Sequence, residues 1–154
     1  MKIDIKKLAI SILIPLILGT VVGLLTGSNG GYDSFIKPIF APPAILFPIV
    51  WSILYVVMGI SSYMIYESND VKAKESLKIY AIQLIINLLW SFIFFTFKLY
   101  LLAFIWIIIL IIVVALMIKK FYEISKTSAL IEIPYLLWLV FASILNFSIF
   151  LLNR

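Results

Sequence analysis

Five runs of about 20 apolar residues, separated by short clusters of charge, constrain this chain more than any other feature of its sequence. A helix that crosses a bilayer needs about 20 such residues at a rise of about 1.5 Å each. The runs lie at 8–27, 44–66, 77–97, 99–118 and 129–152, so a chain of 154 residues has no room for a separate soluble domain. With 65% hydrophobic and 12% charged residues, the composition lies outside the range of soluble globular domains. The expected fold is all-α: one integral membrane bundle of five transmembrane helices, covering residues 1–154 as a single domain.

The first run follows Lys2, Lys6 and Lys7 and has the polarity of a secretory signal. Its length and the four spans after it favour an uncleaved first span. Residues 28–43 carry Gly30, Gly31, Pro38, Pro42 and Pro43, which break helices. A connection of this length in a compact bundle suits a lid or binding loop, with a slack linker as the other reading.

Lysine and arginine are distributed unevenly. Nine lie in the amino terminus and the second and fourth loops, and three (Lys37, Lys98, Arg154) lie in the first loop, third loop and carboxy terminus. The positive-inside tendency then predicts a multi-pass protein of the cell membrane with a cytoplasmic amino terminus, and with the first loop and carboxy terminus outside. The net charge of +5 comes from these helix ends and not from one basic face, so nucleic acid is not an expected partner; the lipid bilayer is. With no cysteine and no histidine, disulfides, thiolate and imidazole chemistry and the usual zinc and haem ligands are excluded, and no metal or required cofactor is expected.

Polar atoms in hydrocarbon need partners inside the protein. Trp51, Tyr55, Met58, Ser62 and Tyr66 share one face of the second span, and Gln83, Asn87, Trp90, Ser91 and Phe94 share one face of the third. Tyr135, Trp138, Ala142 and Asn146 do so in the fifth, where Pro134 frees a carbonyl. Two readings are open: amides that serve only to tie helices together, or a shared interior pocket for a flat, largely apolar ligand. Trp90 sits near mid-span, away from an interfacial aromatic belt, and favours the pocket. Apart from Glu132 and Lys98 the interior holds no predicted ionisable group, so ion pumping and acid–base hydrolysis lack their usual parts. The fourth span, nearly pure Leu, Ile and Val, is expected to face lipid on most sides as a wall. Gly19, Gly23 and Gly27 form a small-xxx-small stripe that suits a homodimer face; packing within the protomer is the other reading.

Three segments resemble the TspO/MBR family of tryptophan-rich sensory proteins and translocator proteins. They are the loop from Tyr32 through Lys37, Pro38 and Phe40 to Pro42 and Pro43, followed by Trp51 and Tyr55; the run from Asn87 to Phe95; and the run from Pro134 through Trp138 to Asn146. The resemblance implies a five-helix bundle that binds porphyrins such as protoporphyrin IX, and sterols or isoquinoline-type ligands, beneath the first loop. It implies a sensor or handler of tetrapyrroles; a photo-oxidative porphyrin-degrading enzyme and a porphyrin or sterol transporter are the alternatives. The implied ligand-binding residues are Tyr32, Pro42, Pro43, Phe47, Trp51, Tyr55, Asn87, Trp90, Ser91, Phe94, Tyr135, Trp138, Ala142, Leu145 and Asn146. Trp51 and Trp138 stand at the positions associated with light- and oxygen-dependent porphyrin breakdown. Against the family pattern, Gly31 stands where a Trp commonly precedes the loop tyrosine, Phe40 replaces a later Trp, and Trp106 takes a fourth-span acidic position. The sterol motif is broken at Phe147, and Leu116, Tyr122 and Lys126 match it only loosely.

Overall fold

Five long helices cross the predicted span regions in a computed structural model that describes residues 2–27 and 31–154, with no strand among them. They are α1 (Ile5–Gly27), α2 (Leu46–Glu67), α3 (Ala73–Ser91, continued by a π-helical turn at Phe92–Thr96), α4 (Tyr100–Ile124) and, after the short α5 (Lys126–Leu130), α6 (Ile133–Leu152). The chain is therefore an all-α, multi-pass membrane bundle. Residues 28–30 of the expected first loop lie outside the described residues.

Each helix is held by the face that the sequence makes distinctive. α1 packs on α2 and α3, α3 on α4, and α4 on α6; α2 meets α5 by backbone proximity and α6 through aromatic side chains. Gly59 is where α1 crosses α2: a Cβ there would collide with the backbone of Ile12 and come within 2.6 Å of the Ser11 carbonyl oxygen. α4 runs six residues past its expected end, because Lys119 and Lys120 continue the helix with their ammonium groups at the bundle's end. It is also more than a wall. Ala103, Ile107, Leu110, Val114, Met117 and Phe121 recur at intervals of three and four and are buried in the core. Tyr66, expected on the interior face of α2, is exposed and lies under the Lys7 ammonium, 5.5 Å from the ring centre.

The two ends of the bundle differ. At one, Lys7–Glu67 (2.9 Å), Lys72–Glu123 (2.9 Å) and Lys120–Glu75 (3.2 Å) link α1 to α2, the second loop to α4, and α4 to α3. Such exposed pairs add little to stability, because water screens them and long side chains must be ordered to form them. At the other end the first loop meets the carboxy terminus: Ile36 N donates to Asn153 Oδ1 (2.9 Å), and Asn153 Nδ2 donates to Ile36 O (2.8 Å). The amino terminus and second and fourth loops thus share one end, as a five-span topology requires.

Gly59→Ala inserts a methyl into a backbone crossing, and overpacking of this kind costs about 1–3 kcal/mol. A lowered midpoint of thermal unfolding in detergent is the expected outcome; an unchanged midpoint would show that α1 is not seated at Gly59.

Candidate ligand-binding cavity

The three polar-aromatic faces converge on one cavity of about 490 Å³, within the size range of small-molecule and cofactor sites. α2 lines it with Phe47, Trp51 and Tyr55, α3 with Asn87, Trp90 and Ser91, and α6 with Trp138, Ala142, Leu145 and Asn146; Phe94, from the π-helical turn, joins them. Tyr32 enters from the first loop. The π turn matters here. With Phe97 N bonded to Phe92 O (2.9 Å), the extra residue lets Phe94 and the adjacent Phe95 both border the cavity.

Two hydrogen-bond systems hold the polar lining. Beneath the cavity, Tyr55 OH donates to Asn87 Oδ1 (2.9 Å), Asn87 Nδ2 donates to Tyr135 OH (2.8 Å), and Tyr135 OH donates to Gln83 Oε1 (2.8 Å). Gln83 Nε2 ends the chain on the Met58 sulfur at 3.8 Å. Higher up, Trp90 Nε1 donates to Asn146 Oδ1 (3.1 Å) and Asn146 Nδ2 to Tyr100 O (2.9 Å). The amides therefore do tie helices together, yet they do so around an open space. Trp106 lies apart: its Nε1 donates to Ile86 O (2.8 Å) and fastens α4 to α3.

Aromatic contacts set the walls. Trp51 stacks on Tyr55 (centroids 5.6 Å, planes 30° apart) and meets Tyr135 edge-on at 6.2 Å, while Trp90 stacks on Phe94 at 4.9 Å. Trp138 meets Phe47 edge-on at 5.8 Å. Trp138 also borders a shallow apolar crevice between α2 and α6, with Val50, Leu54 and Leu137, so one indole separates the cavity from the lipid-facing surface there. Its Nε1 is buried without a hydrogen-bond partner.

The roof is pinned to itself. Tyr32 OH donates to Pro42 O (2.8 Å), its ring packs on Phe47 at 4.7 Å, and the Lys37 ammonium lies 4.6 Å from its centre. Gly31 has φ +42° and ψ −143°, and a Cβ there would come within 3.0 Å of the Gly27 carbonyl. Any side chain at this position would be strained in this backbone conformation. Phe40 is half exposed and outside the cavity lining.

Among the expected site residues, Pro42, Pro43 and Tyr135 do not line the space. Pro42 serves as the acceptor for Tyr32, Pro43 is exposed, and Tyr135 is fully buried below the floor as its hydrogen-bond hub. The glycine stripe borders the cavity. Gly19 leaves room for the Tyr55 ring, with which any Cβ would collide, and Gly23 and Gly27 border the cavity with nothing within 4 Å of an added Cβ. Packing within the protomer, the other reading of the stripe, holds at Gly19, where the Tyr55 ring sits; Gly23 and Gly27 are exposed. Sequence reasoning missed Thr20 and Leu24 of α1 and Ile107 and Leu110 of α4. The α1 pair is exposed on the side where the glycines border the cavity, and the α4 pair carries no polar signal. No group of potential metal ligands occurs among the described residues.

Residues 11–152 match the TspO/MBR family. The chain belongs to that family. It is 40% identical over 155 residues to the tryptophan-rich protein TspO of Archaeoglobus fulgidus, covering 97% of this chain and 99% of the relative. It is 30% identical over 131 residues to the tryptophan-rich sensory protein of Cereibacter sphaeroides (85% and 82%) and 32% identical over 126 residues to the translocator protein of Bos taurus (80% and 75%).

In this TspO/MBR protein, Tyr135→Phe removes both the acceptor for Asn87 and the donor to Gln83. Leaving buried amides unpaired costs about 1–3 kcal/mol, so the variant should unfold at lower temperature while keeping its helical circular dichroism; equal stability would mean the floor network is not closed.

Proposed function

We propose that the cavity binds a flat, largely apolar tetrapyrrole, with protoporphyrin IX as the probe, and that the protein acts as a sensor or handler of that ligand. The observation that carries this reading is the cavity itself: Trp51, Trp90 and Trp138 surround a space of about 490 Å³ that has amides from Asn87 and Asn146 at its edge. Indole faces suit a broad π-system, and a few fixed polar groups orient a ligand that is otherwise held by apolar contact. Membership of the TspO/MBR family supports the same reading. In it, Trp51 and Trp138 flank the ring, Asn87 and Ser91 supply polar contacts, and Tyr32 covers the entrance. Sterol or isoquinoline-type ligands would use the same apolar walls.

Titration with protoporphyrin IX in dim light should quench tryptophan fluorescence saturably. Trp138→Ala should weaken binding on the order of tenfold through lost stacking. Gly23→Leu, which adds a side chain where an added Cβ meets open space at the cavity's border, should weaken it as well; loss of self-association in place of binding would assign the glycine stripe to a homodimer face. Absence of saturable quenching in the wild-type protein would overturn the proposal.

A second reading is supported by the exposure of both Trp51 and Trp138 to the same space: light- and oxygen-dependent oxidation of bound porphyrin with these indoles as electron donors. Illumination of the complex in air should then produce new visible bands that the Trp51→Phe, Trp138→Phe double variant lacks. The proposed orientation, with the amino terminus cytoplasmic in the cell membrane, is open to a direct check because the chain has no native cysteine. A cysteine introduced at Lys2 should react only with permeant maleimides in intact cells, and one at Asp33 also with impermeant ones.

A further inference from the structure

Below the cavity floor lies a second set of buried polar atoms that the binding site does not use. Glu132 is 0% exposed, and neither of its carboxyl oxygens has a hydrogen-bond partner. Ser76 Oγ and Tyr80 OH, one turn apart on α3, are likewise buried without partners. Ser61 faces the Glu132 carboxyl and Ser62 faces Tyr80, and Tyr80 and Tyr135 both lie within electrostatic range of Glu132, so these groups share one neighbourhood.

The surrounding donors are already committed. Ser61 and Ser128 bond each other reciprocally, Ser61 Oγ to Ser128 O and Ser128 Oγ to Ser61 O, both at 2.9 Å, and Ser62 Oγ donates to Gly59 O (3.0 Å). No lysine or arginine acts on Glu132. The groups placed near it are neutral: Ser61 and Ser62 from α2, Tyr80 from α3 with Ser76 one turn away on that helix, Phe121 from α4 packed against Tyr80, Ser128 from α5 and Tyr135 from α6. A lone carboxylate inside a bilayer is costly and marks a functional position by default. Several orphaned oxygens around one spot supply the two to four partners that an internal water requires.

We propose that Glu132, Tyr80 and Ser76 form an internal site for a proton and ordered water, and that Tyr135 links this site to the cavity floor. The proton resides on the Glu132 carboxyl and neutralises it, while water bridges that carboxyl to the Tyr80 and Ser76 hydroxyls. Tyr135 connects the two regions because its hydroxyl already bonds Asn87 and Gln83, and Asn87 borders the cavity. Occupation of the cavity and hydration of the lower site are thereby joined through one phenol.

Infrared spectroscopy of the protein in lipid at neutral pH tests this without any ligand. The other six acidic residues (Asp4, Asp33, Asp70, Glu67, Glu75 and Glu123) lie near the helix ends, so a protonated-carboxyl C=O band from the interior is expected to be lost in Glu132→Gln. Should that variant fail to fold, Glu132→Asp should move the band and not abolish it. Exchange into ²H₂O should shift the band, and Tyr135→Phe should displace it. A carboxylate signature at neutral pH, above all one that changes when sodium replaces choline, would overturn the proton in favour of a small cation. A band that resists exchange would overturn the water, and one indifferent to Tyr135→Phe would overturn the link.

Discussion

In hydrocarbon the Asn87 side chain has no water to fall back on, and the hydrogen bonds it makes to Tyr55 and Tyr135 determine how α2, α3 and α6 sit around one another. An unpaired amide in an apolar interior costs more than the bond itself contributes. Register errors that leave Asn87 or Gln83 facing lipid are therefore penalised, and the bundle closes where both are satisfied. The aromatic walls follow from that register: with Tyr55 held by Asn87, Trp51 lies one turn along α2 on the same side, stacked on Tyr55 and edge-on to Tyr135.

That network also explains why the interior stays open. Polar residues on three helices pair at one level and hold the backbones at the separation their side chains dictate, while glycine on α1 adds no bulk above that level. A core filled with leucine would have closed the space. Instead large rings line it edge to edge, and the small residues Gly23, Gly27 and Ala142 leave it unfilled. In the lower half, by contrast, Met58, Val114, Met117 and Phe121 pack densely, so the Glu132 region is enclosed while the cavity is not.

The spans were legible because apolar length is a direct physical requirement of the bilayer, and the interior faces because Gln83, Asn87 and Asn146 interrupt runs of Leu, Ile and Phe. Helix ends were less so: Lys119 and Lys120 read as a terminus, but long basic side chains let a helix continue to the interface. The break between α5 and α6 has no proline at its centre, only Ile131 and Glu132, and the π turn at Phe92–Thr96 leaves no mark in composition. The glycine stripe was legible as a stripe only; whether a ring, a cavity or another chain occupies the space above it is a tertiary fact. Ile107 and Leu110 could not be singled out, since an apolar wall residue looks the same whether it meets lipid or ligand.

The paired hydrogen bonds between Asn153 and Ile36 make the penultimate residue of the chain a latch on the loop that carries Tyr32. Bonds of this kind contribute about 0.5–1.5 kcal/mol each. The latch acts beside the Phe35 ring, which is buried against Phe94, Phe95 and Tyr100, so two adjacent residues fasten the loop to the bundle. A substitution at Asn153 therefore reaches the roof of a cavity whose lining Asn153 does not share.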